Sequence, residues 1–165
     1  VSPATKASEV VAYWRGLARD HVAAAVAHAS DDAQVLLATV VRLSATHPTQ
    51  RAIFAHLEVG EQTTQSRLLR AGAPSVKRIL TDLRLVYVAA LRRLNPPLRA
   101  ETIVAALGHS SRASLGRHVR QRRGCTLATF AESPDRLLGE VCAALRDCRG
   151  LAHLRVFPAP RREEP

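Results

Sequence analysis

The chain has 165 residues, with 24 Lys and Arg against 14 Asp and Glu, a net charge of +10 and a pI near 11.1. That length can bury roughly 70% of the unfolded surface, so one domain with helical extensions is the simplest expectation. The basic balance points to nucleic acid or another anionic surface, while no apolar run approaches the ~18 residues of a membrane span and no signal-peptide pattern opens the chain.

Alanine and leucine dominate, and apolar/polar alternation is too scarce for a sheet, so the expected fold class is all-α. A first helix is expected from Ser8 to about Ala29, with Tyr13, Leu17, Val22 and Val26 at mixed steps. Tyr13-Trp14 reads either as core or as a patch for a second copy. Ser30-Asp31-Asp32, a cap followed by acids, starts a helix to about Ala45 with Val35, Leu36, Thr39, Val40 and Leu43 inward. His47-Pro48 marks a break before a short helix over 49–57, with Ile53, Phe54 and Leu57 inward. Val59-Gly60 turns the chain into a helix from Glu61 to Ala71.

Gly72-Ala73-Pro74-Ser75 begins a long helix from Ser75 to about Leu94 whose inward residues are Val76, Ile79, Leu80, Leu83, Tyr87, Ala90, Leu91 and Leu94. Asn95-Pro96-Pro97 stops it. Glu101 to Gly124 reads as a short helix (Ile103, Val104, Leu107 inward), a turn at Gly108, and a second helix in which Leu115 and Val119 share a face. From Leu83 to Ala131 the only acid is Glu101. A turn of helix near Leu127-Phe130 and a helix from Ser133-Pro134-Asp135 to about Arg149 follow, with Leu137, Leu138, Val141 and Leu145 buried. Residues 157–165 read as a flexible tail.

Cys125, Cys142 and Cys148 fit no zinc spacing and read as free thiols of a reducing cytoplasm. His21, His28, His47, His56 and His118 do not fall at metal-ligand spacing with a carboxylate. No nucleophile elbow, phosphate loop or zinc-deaminase pattern occurs, so no catalytic residue, cofactor, metal or enzymatic activity is expected. The chain has no methionine and opens on Val1, so a further upstream part is expected.

The centre holds two helix–turn–helix patterns, HPTQRAIFAHLEVGEQTTQSRLLRAGA and ETIVAALGHSSRASLGRHVRQRRG, separated by the long helix. At about 1.5 Å per residue that helix is on the order of 30 Å long, near the roughly 34 Å advance of one duplex turn. From about Val35 to Phe130 the chain resembles the DNA-binding domain of AraC-type (AraC/XylS) transcriptional regulators. Leu107, Gly108, Arg117 and Gly124 fit the family pattern; Leu115 and Val119 replace its inner phenylalanines, and Thr64 stands where the first unit would carry a leucine. The resemblance implies three regions: an N-terminal helical extension over 1–34, a double helix–turn–helix domain over 35–130, and a C-terminal helix and tail over 131–165. It implies a bacterial-type regulator whose two recognition helices enter adjacent major grooves of double-stranded DNA, with RNA polymerase, and a second copy through the N-terminal helix, as further partners. Base reading would fall to Gln62, Gln65 and Ser66 in the first unit and Arg112, Ala113, Gly116 and Arg117 in the second. Thr63, Arg67, Arg70, Ser110, Ser111, Arg120, Arg122 and Arg123 would contact phosphate. The rival expectation is a degenerate AraC-like helical module that binds acidic protein partners.

Overall fold

The computed structural model describes residues 2–46, 49–108 and 111–159. Among these the chain forms eight α-helices, a closing 3₁₀ helix and no strand, so the fold is all-α. The helices are α1 (Pro3–Ala25), α2 (Asp31–Leu43), α3 (Gln50–His56), α4 (Glu61–Arg70), α5 (Val76–Leu94), α6 (Ala100–Ala106), α7 (Arg112–Arg123) and α8 (Pro134–Arg146). The expected breaks at His47-Pro48 lie outside the described residues.

Hydroxyl caps set most of the starts. Ser2, Ser30, Thr49, Ser75, Ser111 and Ser133 each accept from a backbone N–H of the first turn, which satisfies one of the donors a helix start leaves orphaned. The cap at Ser2 starts α1 five residues before the expected Ser8, and α1 ends at Ala25. Leu127 to Thr129 form a hydrogen-bonded turn rather than a turn of helix. Gly72, Gly108 and Gly124, with φ of 73°, 61° and 71°, end α4, α6 and α7 in left-handed conformations that cost a residue with a Cβ extra energy.

Helix α5 is the axis of the molecule. Thirteen of its nineteen residues are buried, including Leu85, Val86, Val88 and Ala89 outside the expected stripe. A helix apolar on all sides belongs inside a core, and α1, α2, α7 and α8 all pack on it. Leu94, expected inward, is 63% exposed at its end. On α2 the buried face is Ala33, Leu36, Leu37, Thr39, Val40 and Val41, which turns the expected stripe and leaves Val35 exposed. On α8 Leu137, Leu138, Val141 and Leu145 are buried as expected. Buried Arg84 donates from Nε to the Ser44 carbonyl at 3.2 Å, and Ser44 Oγ shares a 2.6 Å hydrogen bond with Tyr87. These bonds tie the end of α2 to the centre of α5.

The N-terminal helix is part of this core and not an appendage. Ala7, Val11, Ala18, Val22 and Ala25 of α1 are buried, and α1 packs on α2, α5, α6 and α8. Tyr13 stays exposed, its ring edge-on to half-buried Trp14 at 6.2 Å. After α8 a 3₁₀ helix spans Arg149–His153, and Leu151, Leu154 and Val156 are buried, so packed chain runs up to the expected tail, of which residues 157–159 are described.

Candidate nucleic-acid interface

The pairs α3–α4 and α6–α7 resemble each other, with one extra residue in the connection between α6 and α7. Helices α3 and α6 have equal lengths, each with a fully buried isoleucine, Ile53 and Ile103, as its fourth residue. Leu57 and Leu107 close them with nearly the same backbone angles, and the next residue, Glu58 or Gly108, turns left-handed at φ 55° or 61°. On the second helix of each unit the buried pair is Thr64 and Leu68 in α4, and Leu115 and Val119 in α7. Spacing of four puts each pair on one face, and the opposite faces point to solvent.

Those outer faces correspond as well. Gln62 matches Ala113, Ser66 matches Arg117, and Leu69 matches Arg120, all exposed; Gln65 matches Gly116, both half-buried. Leu69 is 79% exposed, a position not anticipated among the reading residues. The signal was partial: Leu68 has the buried spacing of four from Thr64, while Leu69 is turned a further step round the helix. Thr63, Arg67 and Arg70 are also exposed on α4. Gly116 has nothing within 4 Å of where a Cβ would stand, so none of the described residues requires a glycine there.

The arginines of α7 divide into two groups. Arg112, Arg117 and Arg120 are exposed. Among the described residues Arg117 and Arg120 have no carboxylate partner. Arg112 meets Glu101 at 3.7 Å, with both side chains about 70% exposed. Such a pair contributes about 0–1 kcal/mol and readily exchanges for a stronger anion.

Arg122 and Arg123, expected as phosphate contacts, instead face the protein. Arg122 grips Asp82 of α5 with two bonds, Nε–Oδ1 at 2.8 Å and Nη2–Oδ2 at 3.0 Å, and Arg78 approaches the same carboxylate at 3.8 Å. Arg123 holds Glu132 through Nε and Nη2 and reaches Glu140 of α8 at 3.2 Å. Its bonds to Glu132 raise the Arg123 pKa further and hold the Glu132 carboxyl below the usual range against the opposing effect of burial. The reason for this pairing is geometric. Residues 122 and 123 follow the buried Val119 by three and four, so they share its inward face. A paired guanidinium must give up a charged partner before it can take a phosphate.

Asp82 lies in the second turn of α5, so the end of α7 is anchored beside the start of that helix. The spacing of the two units is therefore not the length of α5 alone. Ser111 accepts from Ser114 N at 3.1 Å and caps α7; the expected phosphate contact at Ser110 lies outside the described residues. Among the described residues no group of three or more His, Cys, Asp or Glu could hold a metal ion, and Cys125, Cys142 and Cys148 are free thiols. No helix among them is long and apolar enough to cross a membrane. No family model matches the chain, and no curated protein or solved structure matches it significantly.

Proposed function

We propose that the protein is a double-stranded DNA-binding transcriptional regulator that reads sequence with α4 and α7, as its resemblance to AraC-type domains implies. The observation that carries this reading is the correspondence of the two units, down to the exposed positions Gln62/Ala113, Ser66/Arg117 and Leu69/Arg120. Glutamine and arginine suit bidentate contacts with adenine and guanine in the major groove, and an exposed leucine suits a thymine methyl. Arg67, Arg70 and Arg120 stand on the same exposed faces as phosphate contacts, which fix register without reading bases, while exposed Arg112 joins Arg117 in base reading.

The test is selection from a random duplex library by the intact chain, with Arg117→Ala in parallel. The expected result is an enriched site with two parts, in which Arg117→Ala loses preference at one base position at a cost of about 1–3 kcal/mol. With at least three phosphates neutralised, log affinity should fall against log salt with a slope of about −2.7 or steeper. A second reading, a helical module that binds acidic protein partners, gains support from the commitment of Arg122 and Arg123 to carboxylates of the chain itself. Failure to retain any duplex at low salt would favour it over DNA binding.

A further inference from the structure

Beyond α8 the chain returns to the first helix–turn–helix unit. Gly150 lies so close to the end of α4 that a Cβ there would stand 2.1 Å from the Ala71 carbonyl oxygen. Cys148 Sγ donates to the same carbonyl at 3.3 Å, and Arg67 Nη1 donates to the Arg155 carbonyl at 3.0 Å. The other edge of the segment is fixed to the turn between α1 and α2. Ser30 N donates to the Leu151 carbonyl at 2.9 Å and Ser30 Oγ to the Leu154 carbonyl at 2.6 Å. The Val156 and Phe157 amides donate to Asp32 Oδ2 at 2.8 and 3.0 Å. Residues 148–157 are thus a strap clasped between that turn and α4.

The strap brings new charge to the edge of α4. Arg149 and Arg155 are exposed, and these contacts put their backbone beside exposed Arg67 and Arg70. Among the described residues none of the four has a carboxylate partner. Asp32, the acid that touches the strap, is occupied by its backbone amides; exposed Asp31 and Asp147 flank it in sequence. Four exposed arginines and few acids thus share this edge of the molecule.

We infer that this strap is a third DNA-contacting element, in which Arg149 and Arg155 extend the phosphate-binding edge of α4 along the duplex backbone. The inference rests on the DNA-binding reading and adds to it a contact outside both helix–turn–helix units. The competing account is that these cations only offset the negative end of the α4 dipole, which would affect melting but not the response of binding to salt.

The test uses the full chain and its R149Q/R155Q variant, which keeps polar stems at both positions while removing two charges. Binding to a random-sequence duplex is titrated from ~50 to ~200 mM salt. Two lost phosphate contacts make the slope shallower by about 1.8 and weaken binding by roughly 50-fold at ~0.1 M salt. A K6A/R19A variant, which loses the same net charge from exposed positions on α1, should keep the wild-type slope. A wild-type slope in R149Q/R155Q overturns the inference while leaving DNA binding intact, and so does an equal loss of slope in K6A/R19A. Absence of wild-type binding to any duplex at low salt overturns both together. Melting curves of both variants check that the fold is kept.

Discussion

Glycine in the middle of α7 costs helix stability with no return inside the folded chain. Gly116 sits between Leu115 and Arg117 with nothing within 4 Å of its absent Cβ, and an alanine there should stabilise the helix by about 1 kcal/mol. The position corresponds to Gln65 on the face of α4 proposed to read bases. If DNA backbone comes close to α7 here, the added methyl opposes it. Gly116→Ala is therefore expected to raise the melting temperature by a few degrees while weakening duplex binding. A variant both more stable and equal or better in binding would mean that this face does not meet the duplex closely. Gly108 marked the left-handed residue of the second unit's turn in the sequence; the first turn was read at Val59-Gly60, but its left-handed residue is Glu58, at φ 55°. A non-glycine residue there is selected by its surroundings and not by its own preference, so no local rule identifies it.

At the scale of elements, the seating of α7 depends on charge as much as on apolar contact. Its buried residues are only Leu115 and Val119, and Arg122 and Arg123 lock its last turn to α5 and α8 through Asp82, Glu132 and Glu140. Glu132 has its pKa lowered in the folded protein, chiefly by its hydrogen bonds to Arg123. Such a group contributes stability that is complete above its unfolded value of about 4.5 and is lost as pH falls through the lower folded value. The wild type should accordingly lose stability between about pH 4.5 and lower values. Glu132→Gln should melt lower at pH 7 and show a shallower decline on acidification. Parallel melting curves at pH 7 and pH 4 check this, and equal declines in the two proteins would remove Glu132 from the account. Helix starts were readable here because each cap acts on its own first turn: Ser30, Ser75 and Ser133 announce α2, α5 and α8. The partners of Arg122 and Arg123 were not. Asp82 is forty residues away in sequence, and spacing along one helix shows which face a residue takes but not which acid waits opposite it.

For the whole molecule, α5 and the strap make one body out of what looked like a reading domain with two extensions. The all-round apolar character of α5 was visible in Leu85, Val86, Val88 and Ala89. Taking it as a rod between two units hid its place at the centre, under α1, α2 and α8. The strap left no periodic signal, because backbone bonds to Ser30, Asp32 and Ala71 hold it, along with a few buried side chains. Its closest approach is at Gly150, where the neighbour is backbone and cannot swing aside. Gly150→Ala must therefore push the strap off the end of α4 or shift α4 itself, an overpacking cost of about 1–3 kcal/mol. For a chain of this size that lowers the melting temperature by roughly 2–12 °C. Gly139→Ala provides the contrast: Gly139 is exposed within α8 with nothing within 4 Å of a Cβ, so alanine should be neutral or stabilising. The strap also carries Arg149 and Arg155, and Arg67 bonds to its backbone. The same Gly150→Ala variant should therefore expose the Leu151 amide, which donates to the Cys148 carbonyl at 3.3 Å at the start of the 3₁₀ helix, to faster hydrogen exchange, while amides at the centre of α5 keep their protection. Equal melting of Gly150→Ala and wild type, or faster exchange spread evenly over α5, would show that the strap and α4 do not depend on this contact.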